Sequence, residues 1–175
     1  MMSADMYIDA SVYDKRKNGK CAVVILVGDD DEFLWTKSIT FEELLTQFPK
    51  ESCNVGKYNI GSSAYETYSL LGFTQFLVDK HITDINFTCY TDNLPLFDVF
   101  NKIGQFKKIT KKIYEALFVN INILKRYNVT FDVRWVNGHN NIYGNERADM
   151  YTRSKIKKKQ RRNFNFPIQS IDSFI

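Results

Sequence analysis

The sequence predicts an α/β domain built on a mixed sheet. Two observations carry that expectation. Strand-forming runs crowd the first part of the chain, and helical and strand-like segments alternate in the rest, the order in which helices come to flank a sheet. Between the second and third runs stands "GDDDE", a polar turn that suggests an antiparallel hairpin. A chain of 175 residues suits one domain, or one domain plus a tail, with a sizeable core.

The elements follow in order. Residues 6 to 15, opening "MYIDASVY", are rich in β-branched and aromatic side chains and read as a first strand. "CAVVILVG" (21 to 28) reads as a second, buried strand, and "EFLWTKSIT" (32 to 40) as a third. "TFEELLTQF" reads as a short helix, with Thr40 and Glu43 at capping-box spacing. Residues 48 to 61 carry Pro and Gly punctuation and read as an irregular loop, longer than such a core needs. "SSAYETYSLLGFTQFLVDKH" places apolar residues at 65, 68, 71, 73, 76 and 77, which is helical spacing. "INFTCYTDN" (85 to 93) is a strand that stops at Asp92 and Asn93. "LPLFDVFNK" is a short helix and "KKITKKIYEALFVNINILKRY" a long amphipathic one. "VTFDVRWV" (129 to 136) is a further strand, "NGHNNIYGN" a loop and "NERADMYTRSK" a last helix. There is no internal repeat and no sign of a second domain.

Composition narrows the class. Hydrophobic residues at 44% and charged residues at 25% are ordinary for a soluble globular protein. "MMSADMY" has neither the basic start nor the apolar run of a signal peptide, and no segment is apolar enough for a membrane span. The cysteines, Cys21, Cys53 and Cys89, are odd in number and lack metal-ligand spacing. Buried free thiols and a reducing, intracellular, cytoplasmic setting are the expectation. The net charge of +4 is uneven, because "KIKKKQRR" (155 to 162) holds six positive charges and leaves −2 on the remainder. A polyanion would therefore meet local patches or this tail. "KIKKKQRR" can track phosphates, serve as a nuclear address or end a soluble helix. The apolar "NFNFPIQSIDSFI" after it can fold back on the body or dock to a protein partner.

Four carboxylates stand where chemistry gathers in an open α/β sheet. Asp9 lies within the first strand, Glu66 in the first turn of the first long helix, Asp92 at a strand's carboxyl end and Asp149 near the start of the last helix. If these ends converge, four acids would repel unless hard divalent cations stood among them, and oxygen ligands suit Mg²⁺ or Mn²⁺. Each acid also has a structural reading. Asp9 can face solvent on an alternating strand. Glu66 can close a capping box with Ser63, Asp92 can end a strand in a turn, and Asp149 can favour a helix N-terminus. Spacing alone leaves both readings open.

The same residues resemble type 1 ribonuclease H. "YIDAS" is similar to that family's first-strand "TDGS", and "SSAYETYSLLGFTQFL" to its first helix. "TCYTDN" resembles its "YTDS" strand end, and "VRWVNGHNNIYGNERADMYTR" its "WVKGH…NERAD" signature. The motifs come in the family's order and span residues 6 to 153. The last is the most specific, since it joins a strand, a histidine loop and a helix. The resemblance implies a ribonuclease H-like fold, a five-stranded mixed sheet with its first three strands antiparallel and helices flanking it. It implies a catalytic domain over residues 1 to 154 with a basic, aromatic tail over 155 to 175.

The resemblance also implies roles. Asp9, Glu66, Asp92 and Asp149 match acids that hold two Mg²⁺ ions, with Mn²⁺ as a substitute, and Asp9 would bridge them. Two such ions, about 3.5–4 Å apart, activate a water and stabilise the leaving 3′ oxygen of an in-line displacement. The carboxylate in the first strand would then be offset by cation charge. His139 matches a loop histidine that moves protons or releases product; a lone loop histidine is otherwise a solvated side chain. Ser11, Ser62, Ser63, Asn93 and Asn145 are placed to read the 2′-hydroxyls of an RNA strand, and Asn145 can equally cap the last helix. Ser62 and Ser63 stand where the family commonly has asparagines, and Ala10 where it has glycine. Lys108 follows Asp92 by only 16 positions, too few for the family's full basic handle. Lys102, Lys107, Lys108, Lys111 and Lys112 can form a reduced substitute, or simply the wet face of a helix.

The implied activity is metal-dependent hydrolysis of the RNA strand of RNA–DNA hybrids by a monomer that has no membrane partner. The alternatives are a related nuclease acting on DNA, and a catalytically silent module that uses the fold to bind nucleic acid or protein.

Overall fold

The structure is a computed structural model, described for residues 1–13, 17–28, 31–48, 62–101, 108–137 and 142–152. Its elements are β1 (Met2–Tyr13), β2 (Asn18–Val27), β3 (Asp31–Thr40), α1 (Phe41–Gln47), α2 (Ser62–Asp79), β4 (Ile85–Thr91), α3 (Leu94–Phe100), α4 (Lys108–Arg126), β5 (Val129–Trp135) and α5 (Tyr143–Thr152). The five strands form one sheet in the order β3-β2-β1-β4-β5. β1 pairs antiparallel with β2, and β2 with β3, whereas β4 lies parallel to both β1 and β5. This is the mixed sheet that the sequence predicts.

The two faces of the sheet are covered differently. On one, Leu70, Phe73 and Leu77 of α2 and Tyr114, Leu117 and Leu124 of α4 pack on Met6, Ile8, Val23, Ile25, Phe87 and Cys89. On the other, Ala148 and Tyr151 of α5 pack on Tyr7, Ala22, Val24 and Leu34. Successive β2 residues thus bury themselves on opposite faces, which is why "CAVVILV" shows no polar alternation. Cys21 and Cys89 are buried thiols, each pushed up to about 12 by burial. No described helix is long and apolar enough to cross a membrane.

Boundaries shift where pairing decides them. β1 begins at Met2, four residues before the predicted start, because Met2 through Tyr7 pair with Ile85 through Tyr90 of β4. β2 likewise begins at Asn18, where pairing with Thr40 holds it. Thr40 caps α1 as its spacing predicts, its hydroxyl accepting from the Glu43 backbone N–H at 3.1 Å. α5 begins at Tyr143, not at Asn145. The Glu146 N–H donates to the Ile142 carbonyl at 3.0 Å, so Asn145 lies inside the first turn and is not the cap. Cys53, His139, the loop at 49–61, Lys102 and Lys107, and the 155–175 tail lie outside the described residues.

Candidate metal centre

Topology brings the four acids together. β1 and β4 run parallel, and Tyr7 pairs with Tyr90. Asp9 and Asp92 each stand two residues further along, level with one another at the carboxyl end of the pair. Asp9 shares its face of β1 with Tyr7, which α5 covers, so the helix bearing Asp149 lies over it. α2 starts at Ser62 and carries Glu66 in its second turn, beyond the position a capping box would need.

Asp9, Glu66 and Asp92 each present a carboxylate oxygen, and these oxygens lie within 4.8 Å of one another. Asp149 adds a fourth carboxyl group, hydrogen-bonded to that of Asp9. The backbone N–H of Ala10 donates to Asp9 Oδ1 at 2.9 Å and fixes that side chain against its own strand. Glu66 is 7% exposed, and its Oε2 is buried with no hydrogen-bond partner among the described residues. A buried carboxylate oxygen left bare is costly unless something else meets it.

The electrostatics agree with the geometry. Asp9 is raised to about 7, first by burial and then by the nearby charges of Asp92 and Asp149, against the opposing Ala10 hydrogen bond. Glu66 is pushed well above the usual carboxylate range, again by burial first, then by Asp9 and Asp92. A hydrogen bond from the Asn93 side chain works the other way. Like charges crowded into a poorly solvated site hold on to protons. A divalent cation would replace those protons, and an all-oxygen donor set suits Mg²⁺ or Mn²⁺. The residues present therefore fit such an ion.

The other sequence-derived candidates divide. Ser11 lies close by, but its hydroxyl donates to the Thr152 carbonyl at 2.6 Å and ties β1 to the end of α5. Asn93, next to Asp92 in the chain, is buried. Its backbone N–H donates to Thr91 Oγ1 at 3.0 Å, and its side-chain oxygen accepts from Leu96 N–H at 3.3 Å, which caps α3. Asn145 is buried in α5. Ser62 and Ser63 open α2, and their side chains lie outside the described part. Of the lysines, Lys111 and Lys112 are exposed on α4, where Lys112 pairs with Glu115 at 3.3 Å.

One pair escapes sequence reading altogether. Arg147 of α5 donates to both carboxylate oxygens of Glu32 on β3, at 2.9 and 2.8 Å. Its guanidinium lies over the Tyr151 ring at 4.9 Å and the Tyr143 ring at 5.8 Å. Tyrosines four residues before and four after an arginine are a sequence signal for such stacking. No sequence signal identifies Glu32.

No protein-family model matches the sequence, and no curated protein matches it. Solved structures do. RNase H1 from the halophilic archaeon Halobacterium salinarum NRC-1 superposes with a TM-score of 0.55 at 12% identity, over 84% of this chain and 92% of that one. The N-terminal RNase H domain of rv2228c from Mycobacterium tuberculosis, solved as a maltose-binding-protein fusion, gives 0.56 at 12% identity, over 87% and 94%. With its strand order, its parallel and antiparallel pairings and these superpositions, the chain has the ribonuclease H-like fold.

Proposed function

We propose that this protein is a metal-dependent endoribonuclease that hydrolyses the RNA strand of RNA–DNA hybrids. The observation that carries the reading is the cluster of Asp9, Glu66 and Asp92 oxygens within 4.8 Å, with a bare, buried Glu66 Oε2. Its place on the fold supports the reading, since the two superposed structures are themselves RNase H proteins.

Asp9, Glu66, Asp92 and Asp149 would hold the divalent ions. Bound there, the ions supply Lewis-acid stabilisation of the charge that develops on the attacked phosphodiester. The chain's own contribution is preorganisation. Asp9 is held by the Ala10 N–H, Asp92 is set by the end of β4, and Asp149 is carried on a helix clamped to the sheet by Arg147 and Glu32. His139, on the strength of the sequence resemblance, would move a proton or help release product. Selectivity for RNA rests on contacts to 2′-hydroxyls, and Ser62 and Ser63 are proposed to contribute.

The test uses a labelled RNA strand alone, paired with RNA, and paired with DNA. Each form is incubated with the protein and Mg²⁺ or Mn²⁺, with EDTA as the control. Cutting confined to the hybrid and lost in EDTA is expected. Folded protein that cuts none of the three would contradict the reading and favour the silent binding module.

A further inference from the structure

We propose that Asn93 is a positioning residue that holds the Glu66 carboxylate in place, not a residue that reads the substrate. The inference rests on the metal-centre reading above and assigns a role within that centre.

Asn93 is anchored at several points. Its backbone N–H donates to Thr91 Oγ1 at 3.0 Å, and its carbonyl accepts from Phe97 N–H at 3.1 Å. Its side-chain Oδ1 accepts from Leu96 N–H at 3.3 Å as the cap of α3. The cap also decides which way round the amide sits. With Oδ1 turned into the first turn of α3, the opposite end can only be Nδ2, which donates and never accepts. That end hydrogen-bonds to Glu66, a group that can receive it as a carboxylate.

The chemistry explains why asparagine suits this position. Aspartate would cap α3 equally well but would turn a second carboxylate towards Glu66. Serine would cap it but is too short to reach across. Alanine does neither. Asparagine alone joins a capping acceptor to a donor aimed the other way. At 6% exposure, Asn93 also has little surface to offer an RNA strand. Groups that hydrogen-bond to metal ligands fix ligand orientation, and losing one typically costs about 10- to 100-fold in metal affinity or activity.

The test compares the full-length wild type with Asn93→Ser and Asn93→Ala. Melting temperature is measured without metal, Mn²⁺ affinity by isothermal titration calorimetry, and kcat and KM on an RNA–DNA hybrid. Asn93→Ser keeps the cap, so it should melt close to wild type and above Asn93→Ala. It should nevertheless bind Mn²⁺ about tenfold more weakly and lose kcat with KM unchanged. If Asn93 were only a cap, Asn93→Ser would restore Mn²⁺ affinity and kcat along with stability, which overturns the proposal. A raised KM with unchanged Mn²⁺ affinity would mark a substrate contact and overturn it too. Wild-type protein that binds no Mn²⁺ would sink the metal centre itself and this role with it. That outcome is told apart from the others by the wild-type titration.

Discussion

Arg147 and Glu32 form a two-pronged ion pair between α5 and β3, with side chains only 7% and 14% exposed. The hydrogen bond that Arg147 donates to Glu32 is the main influence raising the guanidinium above its ordinary value. The pair fastens the helix that carries Asp149 to the sheet. Removing one partner strands a buried charge, a loss of about 3–5 kcal/mol. Arg147→Ala should therefore lower the denaturant midpoint strongly. Arg147→Lys should recover only part of it, because an ammonium cannot grip both oxygens. An Arg147→Met, Glu32→Leu double variant should regain much of the stability. A single variant that unfolds like wild type would contradict the clamp.

The metal-free protein should lose stability as pH rises. Asp9 titrates near 7 in the folded chain against an ordinary carboxylate value of 3.8, and Glu66 moves the same way. Between those values the folded state binds more protons than the unfolded state, so the stability that protonation confers fades as pH climbs to about 7. The slope is at most about 1.4 kcal/mol per pH unit for each group. Melting in EDTA across pH 4 to 8 checks this, with Asp9→Asn giving a flatter profile. Added Mn²⁺ should restore the melting temperature most at pH 8, above the value at which Asp9 gives up its proton. Identical profiles for wild type and Asp9→Asn would count against the shared, crowded site.

Neutralising one acid should separate stability from function. Asp92→Asn removes a like charge from the cluster, so the metal-free protein should melt about 2–4 °C higher, for roughly 1 kcal/mol of relieved repulsion. The same variant should lose the Mn²⁺-induced rise in melting temperature and all hybrid cleavage. A variant that melts lower than wild type and still responds to Mn²⁺ would place Asp92 outside the centre.

Gly144 should resist substitution although it sits in a helix. A Cβ there would clash with the Tyr7 ring, which is itself stacked on Tyr90 with centroids 5.0 Å apart. Alanine normally favours a helix over glycine by about 1 kcal/mol. Here overpacking, at about 1–3 kcal/mol, should outweigh that gain. Gly144→Ala is expected to lower the unfolding midpoint, and pairing it with Tyr7→Leu should recover part of the loss. A stabilised Gly144→Ala would show that α5 can lift off the sheet freely.

Much of this was legible in the sequence because the signals were local. The apolar run of β2, the Thr40 cap and the helical spacing of α2 each declare themselves within a few residues. The four acids were legible through motifs that share a chain order. What stayed hidden depends on distance or direction. The start of β1, Met2 to Asp5, has no run of β-branched or aromatic residues, and its pairing with β4, more than eighty residues away, makes it strand. Arg147 and Glu32 lie 115 residues apart. In the sequence Asn93 declares itself only as the residue that follows Asp92. Sequence cannot show which way an amide is turned, and here the cap of α3 turns it. The partner of the Ser11 hydroxyl is equally out of reach of a local reading, since it is a backbone carbonyl 141 residues away.

The most direct measurement is a crystal structure of the protein soaked in Mn²⁺, with anomalous scattering used to find the ions. The predicted result is anomalous density among Asp9, Glu66 and Asp92, with carboxylate oxygens about 2.0–2.2 Å from the ion as hard-cation coordination requires. It should vanish in Asp92→Asn. Protein that cuts the hybrid yet shows no ion among these three residues would contradict the central claim.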